Sequence, residues 1–388
     1  MKHRFAHQVL WTILFTLIRP FVRPLFGYRY QREERIAGPA VIMANHNLDI
    51  DVGLLGLSYK QAMRVVASEH VFRKGFLTLL IKLFFTPIVR MKGKTEVRTV
   101  RKMLSTIKAG GNVCIFPEGN RSYNGLTGEI TKASASFVRM AKCQLITFRF
   151  QGGYFRHPRW ARNVRKGPVI GREVGRYTPE RLKDMSTEEV LELIRRDLHE
   201  DAYARQKQSP ALYPGKNLAV CIETALYLCP DCGRIGTIQS RGDRFFCPCG
   251  LDMRYTETGM LKCMGNGGAR FDTVTDWDLW QQGMTEELAG RAGDGAITRD
   301  DGISLYRITP CRKDELIETG TLSISQTALT CGKTVFPLSE IADLAIVDLN
   351  TLVFETSDGG YFEIRSNSAY SALKYRRFFL YCTTKPNA

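Results

Sequence analysis

The 388-residue sequence is short of several things, and each shortage narrows its class. It has no internal repeat and no low-complexity segment, which excludes solenoid and fibrous architectures. Its N-terminal apolar run, Val9 to Ile18, is ten residues, about half of what a spanning helix needs. A secretory leader is not expected either. Arg19, Pro20 and Arg23 follow the run at once, and no small-residue cleavage site is present. The eleven cysteines are odd in number, and six of them (Cys221, Cys229, Cys232, Cys247, Cys249, Cys263) crowd between positions 221 and 263. That crowding reads as a metal site in a reducing compartment and argues against a disulfide framework. Acidic residues are scarce in the first part only: residues 1–210 carry 37 Lys and Arg against 17 Asp and Glu, and the rest carry 18 against 22. A basic unit that large favours a polyanionic partner, nucleic acid or an anionic membrane surface.

What is there reads as an ordered, multi-domain chain, since 44% of residues are hydrophobic. The opening segment, residues 1–30, is expected to be a helix at a membrane interface, with Trp11 and Phe15 between basic flanks. Over 31–207 strands and helices alternate. AVIMA (40–44), NVCIF (112–116), CQLITFRF (143–150) and GPVIG (167–171) are expected strands. Val97, Val100, Met103, Leu104 and Ile107 recur at helical spacing, with Gly110 and Gly111 as the stop. Ser186 and Glu189 fit a capping box at the head of a helix over 186–205. A turn-rich stretch, QSPALYPGKN (208–217), coincides with the change of charge and marks a boundary. Cys114 and Cys143 lie in apolar strands and are expected in the core.

Two strand ends carry the polar residues. After AVIMA come Asn45, His46, Asp49 and Asp51; after NVCIF comes FPEGNRS, with Glu118, Gly119, Asn120, Arg121 and Ser122. In open α/β sheets, ligands bind beyond the carboxyl ends of the strands. A histidine beside an aspartate suits hydroxyl chemistry, because a base needs its tautomer held. Positions five apart in a continuous helix lie about 140° from one another, so His46 and Asp51 can meet only across a turn, with a helix starting just before Asp51. Asp49 is then expected at the helix N-cap, and loss of Asp51 is expected to leave the fold alone.

In order and distance these motifs resemble the 1-acyl-sn-glycerol-3-phosphate acyltransferase family, the lysophospholipid acyltransferases. The resemblance runs over about residues 36–205. Its first block is Asn45, His46 and Asp51, intact. Its second, FTPIVRMKG, keeps Arg90 without the usual preceding glycine. Its third has Asn120 where threonine is usual, and its fourth, LITFRFQGGY, lacks a proline and contains Arg149. The resemblance implies an α/β acyltransferase domain, a mixed sheet flanked by helices. It implies transfer of a fatty acyl group from acyl-CoA or acyl carrier protein to a lysophospholipid hydroxyl, most plausibly that of 1-acyl-sn-glycerol-3-phosphate. His46 would be the general base and Asp51 would orient it. Glu118, Gly119 and Arg121 would shape the acceptor site, and Arg90 and Arg121 would hold its phosphate. The place of work would be the cytoplasmic face of the cell membrane.

Residues 218–265 are expected to form a small zinc ribbon. CPDCG (229–233) and CPCG (247–250) offer Cys229, Cys232, Cys247 and Cys249 to one structural zinc ion, the second knuckle being one residue short of the usual CxxC. Cys221 and Cys263 are spare ligands. Residues 266–302 read as a helical connector containing TDWDLWQQGMTEELA. Residues 303–388, six short strands and a last helix, resemble a pleckstrin-homology-like or GRAM-like barrel. In that last helix Lys374, Arg376 and Arg377 sit beside aromatics, where they could touch a membrane or face solvent. Two other classes compete with an enzyme: a lipid-binding scaffold that keeps the fold without activity, and a zinc-ribbon nucleic-acid binder. Nucleic acid is disfavoured because the ribbon lies in the neutral half and leaves the His46 motif without a purpose.

Overall fold

A computed structural model of the protein describes residues 2–69, 83–90, 97–265, 270–309 and 314–384. The chain divides into two units, one ending at Gly215 and the other starting at Lys216, the second also taking in Trp160–Asn163. In sequence GFLTLLIKLFFTPIVR (75–90) reads as an apolar helix running into a short strand; residues 75–82 lie outside the described residues, and the strand forms at Ile88–Arg90.

In the first unit, α1 (Lys2–Phe26) leads to β1 (Tyr28–Tyr30), β2 (Ala40–Ala44), α2 (Asp51–Ser58), β3 (Met63–Ser68) and β4 (Ile88–Arg90). Then come α3 (Val97–Lys108), β5 (Asn112–Ile115), α4 (Lys132–Ala141), β6 (Gln144–Gln151), α5 (Gly153–Arg156), β7 (Val169–Tyr177), α6 (Thr187–Leu198) and α7 (Ala202–Gln208). The strands make one mixed sheet in the order β1-β7-β6-β2-β5-β3-β4. Only the β6–β7 pairing is antiparallel. Every residue of β2 is buried, as its apolar run demands of a central strand covered on both faces. One core layer joins Ile42, Cys114 and Phe148 to Leu54, Leu55, Trp11 and Phe15. The other joins Val41, Val113 and Leu145 to Met103, Ile107, Phe137, Val190 and Ile194. On α3 the expected apolar face is only partly inward: Met103 and Ile107 are buried, whereas Val97 is exposed. The expected helix over 186–205 is two helices. Ser186 and Glu189 do form the capping box of the first, and Asp201 caps the second by accepting from the N–H of Ala204 at 2.9 Å.

The first helix departs from expectation in two ways. It is continuous through Arg19, Pro20 and Pro24, so that Phe5–Phe26 is long and apolar enough to cross a membrane by length and composition alone. Trp11 and Phe15, expected at a membrane interface, are instead buried with Val22 in the protein core. Gly56 makes this packing possible, because a Cβ there would stand 2.1 Å from Cζ of Phe15. The exposed apolar row is a different one: Phe5, Val9, Ile13, Leu17, Phe21 and Leu25, four residues apart, which winds about 200° around the helix.

In the second unit, β8 (Gln239–Arg241), β9 (Arg244–Phe246), β10 (Asp252–Tyr255) and β11 (Leu261–Cys263) form a small antiparallel sheet around the cysteine turns. Two helices follow, α8 (Val274–Gly283) and α9 (Thr285–Ala292), with Trp277 buried. The remaining strands are β12 (Thr298–Ile308), β13 (Asp314–Ile324), β14 (Ala328–Cys331), β15 (Thr334–Pro337), β16 (Ile341–Val347), β17 (Thr351–Thr356) and β18 (Tyr361–Arg365), before α10 (Ala372–Thr384). They form one antiparallel sheet in the order β15-β14-β13-β12-β18-β17-β16. It has seven strands where the sequence suggests six; β14 is the addition. It curls enough that the Phe336 ring of edge strand β15 lies 4.9 Å from those of Phe354 and Phe362. Its edges β15 and β16 do not pair, so the expected barrel is an open sheet.

Two of the three cations singled out on α10, Lys374 and Arg377, face inward. Lys374 is buried, with Nζ 2.8 Å from Asp300, and Arg377 pairs with buried Asp278 at 2.8 Å. Both are internal ion pairs, which explains why cations stand beside aromatics there.

Candidate active site

Parallel pairing sets Met43 beside Ile115 and Ser68 beside Arg90, so β2, β5, β3 and β4 finish at one edge of the sheet. The loops leaving them meet there. Asn45 fixes the first loop: its Nδ2 donates to the carbonyl of Phe150 at 2.9 Å, and its Oδ1 accepts from the N–H of Phe150 at 2.7 Å.

The chain then turns through His46 to Leu48, and α2 begins at Asp51. The Asp51 carboxylate is fully buried and points back into the turn. Its Oδ2 is 3.1 Å from His46 Nδ1 and accepts from the N–H groups of Asn47 at 2.6 Å and Leu48 at 2.8 Å. A carboxylate at Nδ1 calls for the proton there, so the neutral ring keeps a lone pair on Nε2. The His46 side chain is 21% exposed, and its ring lies 4.5 Å from that of Phe116.

Asp49 is not the helix cap. The N-cap residue is Ile50, with no side-chain hydrogen bond. Asp49 is an exposed partner of Arg121 at 3.1 Å. The capping expectation fails because Asp51 itself binds the free amides of the turn, and the helix starts one residue later than an Asp49 cap requires.

From β5 the chain enters FPEGNRS. Gly119 has φ +68° in a turn closed by its N–H to the carbonyl of Phe116 at 3.0 Å, a conformation that favours glycine. Glu118 spends both carboxyl oxygens on backbone amides, those of His46 at 2.6 Å and Gly128 at 2.5 Å. Burial of that carboxyl pushes its pKa up to about 8, against the opposing pull of the two amides. The N–H of Ser122 donates to the carbonyl of His46 at 3.1 Å. Glu118 and Ser122 thus lock the two loops together.

Three guanidinium groups converge beside this lock. Arg90 Nη1 lies 4.0 Å from where a Cβ on Gly119 would be. Arg121 donates from Nη1 to the carbonyl of His157 at 3.1 Å. Arg159, buried, donates to Oδ1 of Asn120 at 3.0 Å, with its guanidinium 4.4 Å from the Tyr123 ring centre. His157 and Arg159 were not singled out from sequence. The available signal is FRHPRW (155–160), a basic and aromatic run that begins in α5, the short helix after β6. Arg149, by contrast, turns to the carbonyl of Asp197 at 2.8 Å. The edge therefore holds one oriented imidazole beside a cluster of arginines, an arrangement able to deprotonate a hydroxyl on an anionic molecule.

Residues 27–151 match the Acyltransferase family. That match supports an acyltransferase domain similar to those of the 1-acyl-sn-glycerol-3-phosphate acyltransferase family. The acyltransferase domain is 27% identical over 115 residues to the chloroplastic 1-acyl-sn-glycerol-3-phosphate acyltransferase LPAT1 of Arabidopsis thaliana, covering 29% of this chain and 32% of that one. It is 24% identical over 115 residues to the chloroplastic enzyme BAT2 of Brassica napus, covering 29% of this chain and 33% of the other. The chain thus spans about a third of the length of these curated relatives. Among solved structures, the 1-acyl-sn-glycerophosphate acyltransferase of Thermotoga maritima aligns with TM-score 0.40 and 17% identity, over 52% of this chain and 78% of that one.

In the second unit, the Sγ atoms of Cys229, Cys232, Cys247 and Cys249 all lie within 4.8 Å of one another. Each pair sits on a tight turn, closed by the N–H of Gly233 to the carbonyl of Cys229 and of Gly250 to that of Cys247, both at 3.0 Å. Cys221 and Cys263 are not in the group.

Proposed function

We propose that the protein is a membrane-associated O-acyltransferase that moves a fatty acyl group from acyl-CoA or acyl carrier protein to the free hydroxyl of a lysophospholipid. The acceptor that suits the site is 1-acyl-sn-glycerol-3-phosphate, giving phosphatidic acid. The observation that carries this reading is the His46 Nδ1–Asp51 pair at 3.1 Å on the loop that Glu118 ties to the arginine-bearing FPEGNRS loop. His46 Nε2 takes the hydroxyl proton, and the oxygen attacks the thioester carbonyl carbon. The C–S bond then breaks, and the leaving thiolate recovers the proton from the imidazolium. Arg90 and Arg121 hold the acceptor phosphate, and Glu118 and Gly119 shape the loop that presents them. General-base help of this kind is worth about 10²–10⁴ in rate. Purified protein given a long-chain acyl-CoA and lysophosphatidic acid should release coenzyme A and form product lipid, and His46→Ala should abolish it. Absence of turnover with either donor and any lysolipid would refute the reading.

The membrane part of the reading rests on α1. One face is buried in its own domain, so the helix is better suited to lying on a bilayer than to being surrounded by lipid. The row Phe5 to Leu25 offers apolar area, and a groove of about 590 Å³ beside it is lined by Arg19, Arg23, Arg29 and Arg32 with Tyr28 and Tyr30. No carboxylate lines that groove, which suits anionic head groups on the cytoplasmic face of the membrane. We assign the chemistry to residues 31–207.

We assign a structural zinc site to Cys229, Cys232, Cys247 and Cys249 in residues 218–265. Tetrahedral zinc thiolates stand about 3.8 Å apart, and the closest pairs here are 3.6 Å and 3.8 Å. Four protein ligands would leave no open position for catalysis.

A further inference from the structure

Arg121, on the FPEGNRS loop, is nearly enclosed, and it already has an anion on it. Its guanidinium is held from within by the carbonyl of His157 at 3.1 Å from Nη1. From outside, Nε meets Oδ1 of Asp49 at 3.1 Å. The two partners differ sharply in exposure: the Arg121 side chain is 11% exposed and that of Asp49 66%. The aspartate therefore reaches in from the solvent side to an otherwise buried cation. The N-cap residue of α2 is Ile50, and the carboxylate that faces His46 is a different residue, Asp51.

We propose that Asp49 is a resident counter-ion that occupies the phosphate place on Arg121 and gives way to the phosphate of the acceptor. A phosphate monoester presents several oxygens to a guanidinium fork and carries more charge than one carboxylate, so it displaces the weaker exposed pair. Asp49 keeps Arg121 oriented and compensated between turnovers and sets how tightly an anionic acceptor must bind to enter. It acts through Arg121 and is a specificity-setting residue. The inference rests on Arg121 being a phosphate ligand, as in the proposed function.

The test is Asp49→Asn, measured with lysophosphatidic acid and, separately, with a monoacylglycerol that lacks phosphate. Removal of an exposed pair changes an equilibrium by up to about fivefold. The expected result is a KM for lysophosphatidic acid lowered by about that factor with no matching rise in kcat. KM for the monoacylglycerol should not shift, and inhibition by inorganic phosphate should tighten in parallel. An unchanged or raised KM for lysophosphatidic acid would overturn the proposal, the raised value marking Asp49 as a support that orients Arg121. An equal shift for both acceptors would also overturn it. Arg121→Gln separates the two layers. If it leaves phosphate inhibition and KM untouched, the assignment of Arg121 as a phosphate ligand fails. If it weakens both while Asp49→Asn does nothing, only the counter-ion role fails.

Discussion

The carboxyl group of Glu118 accepts the backbone N–H of His46 at 2.6 Å, joining two loops 72 residues apart in sequence. Its other oxygen accepts from Gly128 at 2.5 Å. Glutamine would meet one of the two amides with a donor, so Glu118→Gln should destabilise the fold by about 1–3 kcal/mol. Burial raises the folded-state pKa to about 8 from an ordinary value near 4.5. A raised acid pKa means the folded state holds its proton more tightly. This contribution to stability is therefore complete below about pH 4.5 and is lost as pH rises through 8. Thermal unfolding between pH 4 and about pH 9 should show the loss, and Glu118→Gln should flatten that part of the profile.

Asp51 serves the turn as well as the histidine. Its Oδ2 accepts from two backbone amides besides facing His46 Nδ1. Asp51→Ala should cut turnover steeply and lower stability by about 2–4 kcal/mol, because two buried donors lose their acceptor. Asp49→Ala should shift the melting curve by no more than about 0.5 kcal/mol. Equal melting curves for the two variants would contradict this division.

The two faces of α1 should separate by mutation. Trp11→Ala removes a buried indole and should destabilise by about 3–5 kcal/mol. Leu17→Glu with Phe21→Glu alters exposed residues, so the fold should persist while sedimentation with vesicles falls by about tenfold or more. Arg23→Gln, Arg29→Gln and Arg32→Gln should each weaken binding to anionic vesicles by about fivefold at low salt, with little change on neutral ones.

Elemental analysis of purified protein should find about one zinc ion per chain. Cys229→Ser or Cys247→Ser should lose it. Chelation should lower the melting temperature of the second unit, since binding to a preformed set of thiolates is coupled to folding. A metal-free protein with an unchanged melt would refute the site.

Much of the acyltransferase domain is legible because its signals are local. AVIMA is apolar throughout, so it becomes a central strand; the capping box at Ser186 forms as spaced; the polar residues His46, Asp51 and Glu118 follow strands directly, and parallel pairing brings their loops together. The two cysteine knuckles likewise announce one cluster through spacing alone.

What the sequence by itself determined is thus the periodicity of burial, the strand-end position of the motif residues and the likeness to acyltransferases over residues 27–151. What only the tertiary structure decided is which atom each polar group meets. Asp49 lies two residues from Asp51, yet one pairs outward with Arg121 and the other inward with His46, because α2 starts at Asp51 and turns their side chains apart. Trp11 and Phe15 are two of many apolar residues on α1, so composition could not say which of them meet protein; the space above Gly56 did. Lys374 and Arg377 read as surface cations until Asp300 and Asp278, distant in sequence, supply buried counter-charges. The arginine cluster, too, includes Arg159, 38 positions beyond Arg121 and bound to Asn120 only through the fold. Local pattern sets burial, but the partner of a charge depends on contacts between distant segments, which a linear pattern does not encode.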